Sequence, residues 1–250
     1  MTIELPDWLH EPADELGYPA VFVTVSGAHL YGFASVDSDI DLRAAHVLPA
    51  TEVVGLETGP ETLQFGGVRH GVELDIVSHD LAKFLRLLLR PNGYVLEQLL
   101  SPLVVRTSPL HDELRALAPA CLTRHHARHY LGFAQTQWAL FERTGELKPA
   151  LYTLRVLLSG IELMRNGQVQ ADLRQLCDGH DLPYVPDLIA AKRAGEHNRY
   201  PSSGRDQLAR DVARLRADLE VAATESTLPE KPSAREPLND LLIRARLGGS

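Results

Sequence analysis

The chain has 250 residues and a formal net charge of −8 at pH 7; 44% of its residues are hydrophobic and 6% are aromatic. This length suits one large domain or a catalytic domain with a helical partner, and the negative charge argues against an unspecific nucleic-acid coat. The low aromatic content argues against extensive base stacking, and Cys121 and Cys177 form no Cys-x-x-Cys motif that would indicate a zinc or redox centre.

A predicted strand leads into a glycine-bearing turn. Residues 20–25 are rich in β-branched and aromatic side chains, which predicts a buried strand, and Ser26 and Gly27 break that run. Residues 28–33 have a helical pattern, so a helix there would aim unpaired N–H groups at an anion such as a triphosphate, while glycine lets the backbone approach it. We therefore predict that Ser26, Gly27 and Ala28 bind nucleotide phosphates.

Two carboxylates follow this turn. Asp39 and Asp41 flank Ile40, and residues two apart in a strand project from one face, so Ile40 and Leu42 enter the core while the carboxylates converge. Like charges held together are costly unless a divalent cation lies between them, and hard oxygen ligands favour Mg²⁺ or Mn²⁺. The same Asp-x-Asp pattern is common in solvated turns, which makes it weak evidence by itself.

A third carboxylate strengthens the metal hypothesis. Apolar side chains occupy every second position of residues 72–77, which leaves Glu73 and Asp75 on the opposite face of a predicted strand. We predict that Asp75 completes a triad with Asp39 and Asp41, and that these three residues are both metal ligands and catalytic residues. The alternative is three surface carboxylates without a shared role.

The later part of the chain has helical spacing. Apolar residues share one face in residues 81–88, and Gly145 and Gly167 are plausible helix stops. Residues 224–233 have the composition of a linker, and residues 238–247 return to helical spacing, which predicts an arm that packs on its own chain or builds a homodimer. The other predicted amphipathic helices are residues 135–142, 150–166 and 207–223.

The charge is distributed unevenly along the chain. Residues 1–82 hold 14 acidic and two basic residues, whereas residues 83–210 hold 17 basic and 12 acidic residues. An acidic catalytic half needs metal, and a basic helical half can face phosphates. His125 and His129 have the spacing of a zinc pair, but no further ligand follows at a suitable distance, so their cluster with His126 favours contact with an acceptor's phosphates instead.

These motifs together resemble the DNA polymerase β-type nucleotidyltransferase superfamily. More specifically, the chain is similar to a bacterial and phage family of predicted nucleotidyltransferases, some members of which are associated with RNA-repair gene clusters. The resemblance is good over about residues 20–105 and looser as far as Gly167. It is carried by Gly27-Ala28, the segment 39–42, Asp75-Ile76-Val77, residues 83–89, Asn92, residues 95–102 and residues 148–155.

The resemblance implies an α+β fold with a small mixed β-sheet nucleotidyltransferase core and helices, followed by an α-helical domain. On the sequence we expect a catalytic domain over residues 1–105 and a helical domain over residues 106–223. Residues 224–250 would then be a linker and a short C-terminal helix. No secretory signal and no apolar run of roughly 20 residues are evident, so we expect a cytoplasmic protein with no membrane partner.

The resemblance also implies a reaction, in which an acceptor hydroxyl attacks the α-phosphorus of a nucleoside triphosphate and releases pyrophosphate. Asp39 and Asp41 would hold two Mg²⁺ or Mn²⁺ ions, and Asp75 would ligate the ion that lowers the pKa of the acceptor hydroxyl. Ala28 stands where the family usually has serine, so Ser26 would supply the missing hydroxyl. On the helical half, the resemblance assigns nucleotide binding to Lys148, Tyr152 and Arg155.

The acceptor is open on sequence. An RNA end is favoured by the repair-cluster association and by the basic second half, whereas small hydroxylated molecules and protein side chains are the acceptors of other relatives. A module that binds a nucleotide or RNA without turnover is a further alternative. Nothing in the sequence marks a base preference, so ATP is the default nucleotide.

Overall fold

A five-stranded mixed β-sheet and a set of helices build the chain, of which the computed structural model describes residues 5–195 and 198–248. The described strands are β1 (Ala20–Val25), β2 (Ile40–His46), β3 (Thr62–Arg69), β4 (Val72–Asp80) and β5 (Val104–Arg106). The described helices are α1 (His10–Asp14), α2 (Gly27–Leu30), α3 (Thr51–Val54), α4 (Leu81–Leu88), α5 (Gly93–Leu100), α6 (Pro109–Leu117), α7 (His126–Thr144), α8 (Leu147–Asn166), α9 (Leu173–Leu176), α10 (Val185–Arg193), α11 (Arg205–Glu225) and α12 (Arg235–Leu247). The predicted α+β fold class is confirmed. None of these described helices has both the length and the hydrophobicity to cross a bilayer.

The strand order of the sheet is β3-β4-β2-β1-β5. β2 and β4 run parallel, and the other pairs are antiparallel. β3 and β4 are joined by a two-residue turn in which His70 and Gly71 have φ values of 49° and 82°, as a type I′ hairpin requires. The hairpin fixes the register between β3 and β4, and in the parallel pair β2–β4 Asp75 lies opposite Asp41.

The two faces of the central strands differ in polarity, as the alternation predicts. Ile40, Leu42, Leu74 and Ile76 are buried in the hydrophobic core that the sheet forms with the N-terminal helical segment. The intervening residues of β2 project from the opposite face, on which Thr24 of β1 donates a 2.9 Å hydrogen bond to the Gln98 carbonyl of α5. The polar face is therefore the one next to α5.

Packing divides the chain into two units that do not follow chain order. Unit 1 comprises residues 1–27, 39–121 and 231–250, and unit 2 comprises residues 28–38 and 122–230. Unit 1 contains the sheet, and unit 2 contains the long helices. The linear domain boundaries that we expect after residues 105 and 223 remain a prediction about functional organisation.

The segment 28–38 lies in unit 2, and its helix is shorter than predicted. A helix over residues 28–33 is expected from the sequence, but α2 covers only Gly27–Leu30. Gly32 has φ of 83°, and the Tyr31 carbonyl accepts a 3.0 Å hydrogen bond from the Leu173 N–H. The segment therefore bonds to distant residues of unit 2 instead of extending the helix, and a single turn provides no substantial helix dipole for phosphate binding.

The helices of unit 2 confirm the later sequence predictions. Gly145 and Gly167 are left-handed C-caps, with φ of 67° and 65°, and their N–H groups bond back to the ends of α7 and α8. α8 packs against both α7 and α11. A side chain at Gly160 would crowd Leu219 and Tyr130, so this glycine allows the close approach of the three helices.

The C-terminal helix α12 packs on its own chain in unit 1. Leu238 and Leu241 are buried, and α12 contacts α4 and α6. Arg246 donates to the Asp80 carboxylate at 2.7 Å, and Asp80 is nearly fully buried. The arm thus has an intramolecular site, while a homodimer built through it remains a prediction.

One histidine of the cluster at the start of α7 has a structural role. His126 is fully buried, and its Nδ1 accepts a 3.2 Å hydrogen bond from the Thr123 N–H. Burial lowers the pKa of His126 to about 4, because a charged imidazole would lose its hydration there. His126 therefore stabilises the start of α7 in its neutral form.

A pH dependence of stability follows from His126. Its pKa is lower in the folded than in the unfolded chain, so the unfolded state takes up a proton first as the pH falls below about 6.5. The stability is full above that pH and is lost towards pH 4. Between pH 7 and pH 5 we expect the wild type to lose about 2 kcal/mol more than His126→Asn, measured by denaturant unfolding. His125→Asn serves as the neighbouring control and should behave as the wild type; equal losses for wild type and His126→Asn would contradict the assignment.

Candidate functional site

Asp41 and Asp75 lie side by side on the polar face of the sheet, with Arg43 between them. The parallel register of β2 and β4 pairs the two aspartates directly. Arg43 follows Asp41 by two residues and so projects from the same face. Its Nη2 lies 2.7 Å from Asp41 Oδ1, and its Nη1 lies 3.0 Å from Asp75 Oδ2. One guanidinium therefore bridges carboxylates from two strands.

The electrostatics of this face centre on Asp41. Burial raises the pKa of Asp41 above its ordinary value; Arg43 works against this rise, whereas Asp39 and Asp75 add to it. Only 23% of the Asp41 side chain and 13% of the Arg43 side chain are exposed, so water screens this pair weakly. Three carboxylates thus interact at one place, and the positive charge of Arg43 offsets part of their repulsion.

The glycine turn closes against the same carboxylate. The Ser26 N–H donates a 2.8 Å hydrogen bond to the Asp41 carbonyl at the end of β1. Gly27 has φ of 63°, and a Cβ at this position would collide with the Asp41 carboxylate, lying 3.0 Å from Asp41 Cγ. Glycine is therefore required twice, by the backbone conformation and by the close approach of Asp41. The Ser26 hydroxyl is buried and has no hydrogen-bond partner among the described residues.

Arg43 is held in place by Tyr94 of α5. Neither Arg43 nor Tyr94 is predicted from the sequence as a site residue. Its Nε donates a 2.8 Å hydrogen bond to the Tyr94 hydroxyl, and its Nη1 donates a 2.9 Å hydrogen bond to the Leu42 carbonyl. The alternation that places Asp39 and Asp41 on one face also places Arg43 there, so a signal for Arg43 was available. No sequence signal links Tyr94, 51 residues further on, to this site.

The residues present fit a hard divalent cation by their chemistry. Asp41 and Asp75 offer carboxylate oxygens from adjacent strands, and the space between them already accommodates a cationic group, the Arg43 guanidinium. Within residues 5–195 and 198–248, no three His, Cys, Asp or Glu side chains converge closely enough to form a ready-made metal site. Asp39 precedes β2 and acts on Asp41 through its charge. The assignment of all three aspartates as metal ligands remains a prediction.

The remaining predicted nucleotide-binding residues lie in unit 2. Lys148, Tyr152 and Arg155 are on α8, and Ala28 is in α2. Arg155 is buried, with its guanidinium 3.7 Å from the ring centroid of Tyr31, which is a cation–π contact. This stacking gives Arg155 a packing role within unit 2. Phosphate contacts by these residues remain a prediction.

Comparison with known proteins agrees with the resemblance noted from the motifs. The sequence profile of the RlaP family, described as the RNA repair pathway DNA polymerase beta family, matches residues 1–244. The chain belongs to this family. The predicted polymerase β-like identity is therefore confirmed.

Two further comparisons concern individual proteins. The chain is 32% identical over 182 residues to "Uncharacterized protein MJ0002" of Methanocaldococcus jannaschii, a match that covers 69% of this chain and 72% of that protein. A crystal structure of a nucleotidyltransferase-like protein from Exiguobacterium sibiricum aligns with 87% of this chain and 72% of its own, at 11% identity and a TM-score of 0.33. Structural similarity at this level supports no inference about the site.

In this member of the RNA repair pathway polymerase beta family, the site requires glycine at position 27, where the Asp41 carboxylate leaves no room for a Cβ. Gly27→Ala should destabilise the protein more than Gly17→Ala, because both glycines have φ near 70° but only Gly27 has a neighbour in the way of a Cβ. The left-handed conformation costs about 1 kcal/mol in both variants, and the collision with Asp41 adds about 1–3 kcal/mol in the first. Denaturant unfolding of both variants measures the difference; equal costs would mean that Asp41 moves aside freely.

Proposed function

We propose that this protein is a metal-dependent nucleotidyltransferase. It would move a nucleoside monophosphate from a nucleoside triphosphate to an acceptor hydroxyl and release pyrophosphate. The observation that carries the proposal is the pairing of Asp41 with Asp75 on adjacent parallel strands, with a cationic group between them and the Gly27 turn against Asp41. Membership of a polymerase beta family supports the same reaction class.

The chemical step is an in-line displacement. The acceptor oxygen forms a bond to the α-phosphorus, and the bond from that phosphorus to the oxygen bridging the α- and β-phosphates breaks. The electron pair leaves with pyrophosphate, and the proton of the acceptor hydroxyl passes to a base. Asp75 is the proposed acceptor of that proton, because it is the most exposed member of the bridged pair, with 36% of its side chain accessible.

Asp39, Asp41 and Asp75 would hold Mg²⁺ or Mn²⁺ in this proposal. The metal would lower the pKa of the acceptor hydroxyl and neutralise charge on the triphosphate and the leaving group. The backbone of Asp41 is held by its own strand and by the hydrogen bond from the Ser26 N–H to the Asp41 carbonyl. Asp39 adds negative charge at the same place.

The turn after β1 is the proposed contact for the triphosphate. Gly27 keeps the backbone free of a side chain beside Asp41, and the unpartnered, buried Ser26 hydroxyl has a hydrogen bond to offer. An unpaired buried hydroxyl is costly, and a ligand oxygen would recover that cost. On α8, Lys148, Tyr152 and Arg155 are retained as proposed ligands of the β- and γ-phosphates by family resemblance.

An RNA end is the acceptor that the family favours, since its description names an RNA repair pathway. The basic residues that accumulate after residue 82 are suited to a phosphate-bearing acceptor. ATP is the default donor, and the cytoplasm is the proposed location. Small hydroxylated molecules and protein side chains are the competing acceptors, and a module that binds without turnover is the non-catalytic alternative.

Label transfer tests this proposal. The protein is incubated with each α-³²P-labelled nucleoside triphosphate and total cellular RNA, in the presence of Mg²⁺ or Mn²⁺, and labelled RNA is resolved on a gel. We expect labelling by the wild type, at least about 100-fold less with Asp75→Asn or Asp41→Asn, and none in the presence of a chelator.

Glu73→Gln is the matched control for this experiment. Glu73 precedes Asp75 by two residues on β4, so it shares the strand face, yet it has no part in the bridged pair. It should label RNA as the wild type does. Label transfer that persists in Asp75→Asn would sink the proposed role of Asp75. If the wild type labels neither RNA nor any other acceptor class while still binding nucleotide, the non-catalytic module is the better description.

The Ser26 hydroxyl gives a separate test of the triphosphate contact. Ser26→Ala removes a buried hydroxyl without a described partner, so it should not lower stability, while the KM for the nucleoside triphosphate should rise about tenfold. Ser101→Ala is the contrasting variant. The Ser101 hydroxyl donates a 2.8 Å hydrogen bond to the Val25 carbonyl, so its loss should cost about 1 kcal/mol of stability and leave KM unchanged. An unchanged KM for Ser26→Ala would remove Ser26 from the phosphate site.

A further inference from the structure

We propose that Arg43 is an internal counter-cation that occupies the place of the divalent metal between Asp41 and Asp75, and that metal binding must displace it. The inference rests on the proposed metal-dependent function and adds a competing residue to it. The competition would make metal affinity depend on how firmly the guanidinium is held. Arg43 is thus a positioning residue that acts through the two carboxylates.

The guanidinium lies on one oxygen of each carboxylate. Its two terminal nitrogens contact Asp41 Oδ1 and Asp75 Oδ2, at 2.7 Å and 3.0 Å. A divalent cation of the Mg²⁺ type binds carboxylate oxygens at about 2.0–2.1 Å. A guanidinium and such a cation cannot share these oxygens, and their like charges repel at this distance.

Arginine is suited to neutralise the two carboxylates when no metal is bound. Its guanidinium stays charged at every pH at which the protein folds, so the carboxylate pair is never left without a positive charge. Its planar fork reaches two carboxylates at once, which a lysine ammonium does less well. The partly buried position of the pair makes this compensation necessary, because Asp41 carries a repulsion from both Asp39 and Asp75.

Tyr94 holds Arg43 beside the two carboxylates. The Tyr94 hydroxyl accepts from Arg43 Nε, whereas the carboxylates are bound by the two Nη atoms. This third contact favours the position of the side chain in which the guanidinium lies on Asp41 and Asp75, so it opposes displacement by a metal. Weakening this contact should therefore loosen Arg43 and favour the metal.

Mn²⁺ binding measures the competition without reference to turnover. The full chain is titrated with Mn²⁺, and free Mn²⁺ is followed by its electron paramagnetic resonance signal. We expect Arg43→Gln to bind Mn²⁺ about tenfold or more tightly than the wild type, because one positive charge and its competing contacts are gone. Arg43→Lys should lie between the two, and Tyr94→Phe should bind a few-fold more tightly than the wild type.

Thermal unfolding of the same proteins provides the second readout. Without metal, Arg43→Gln should unfold at a lower temperature than the wild type, since the carboxylates repel; saturating Mn²⁺ should raise its Tm by more than it raises that of the wild type. A residue that only shapes the site would instead weaken Mn²⁺ binding when removed. If Arg43→Gln does not fold, the Mn²⁺ titration of Tyr94→Phe is the test, and tighter binding than in the wild type is again the expected result.

The outcomes separate this inference from the proposed function. If the wild type binds Mn²⁺ and Arg43→Gln binds it equally or more weakly, the counter-cation role is overturned and the metal site stands. Where Arg43→Gln does not fold, the same result for Tyr94→Phe has the same meaning. Absence of Mn²⁺ binding in every protein overturns both, because no metal then competes. Asp41→Asn identifies binding at the site itself, as it should abolish the tight binding in the Arg43→Gln background.

Discussion

The repulsion between Asp41 and Asp75 is the constraint on which the site depends. Parallel strands in register place the two carboxylates next to each other, and the absence of a side chain at Gly27 leaves room for the Asp41 carboxylate. Such a pair is unfavourable in a half-buried position unless a cation lies between the charges. Arg43 provides that cation from the same strand. A protein that places carboxylates in this way keeps a cation-binding position ready, at a cost in stability that its own arginine reduces.

The fold can carry this cost because the other face of the same strands is a continuous apolar core. Asp41 projects its charge from the polar face, and its neighbours Ile40 and Leu42 are buried on the opposite side. Burial of these side chains contributes about 1.5–3 kcal/mol each. The strands also differ in how many neighbours they pair with: β3 is at the edge of the sheet, whereas β2 and β4 each pair with a strand on both sides. The carboxylates thus stand on the most firmly held strands.

The sequence allowed prediction of elements whose signal is local and periodic. Alternation along β2 and β4 correctly placed the apolar residues in the core, and helical spacing with glycine stops located α7 and α8. The helix expected over residues 28–33 was wrong beyond Leu30, because the Tyr31 carbonyl accepts from Leu173 and the Gly32 carbonyl accepts from Arg193, 161 positions later in sequence. The same alternation also places Arg43 on the polar face, whereas only tertiary packing joins Tyr94 to β2, which no local pattern predicts.

The path of the chain explains why the site cannot be assigned to one stretch of sequence. The chain leaves unit 1 directly after Gly27 and returns at Asp39, so the eleven residues between the glycine turn and the first aspartate are packed within unit 2. Their anchors include a hydrogen bond from Lys192 to Ser35 and one from Arg193 to the Gly32 carbonyl. A fragment ending at residue 105 would lose every one of these partners and the last residue of β5. Both ends of the segment join unit 1 by peptide bonds, at Gly27 and at Asp39, so residues that border the candidate site in sequence take their packing partners from the helices of unit 2.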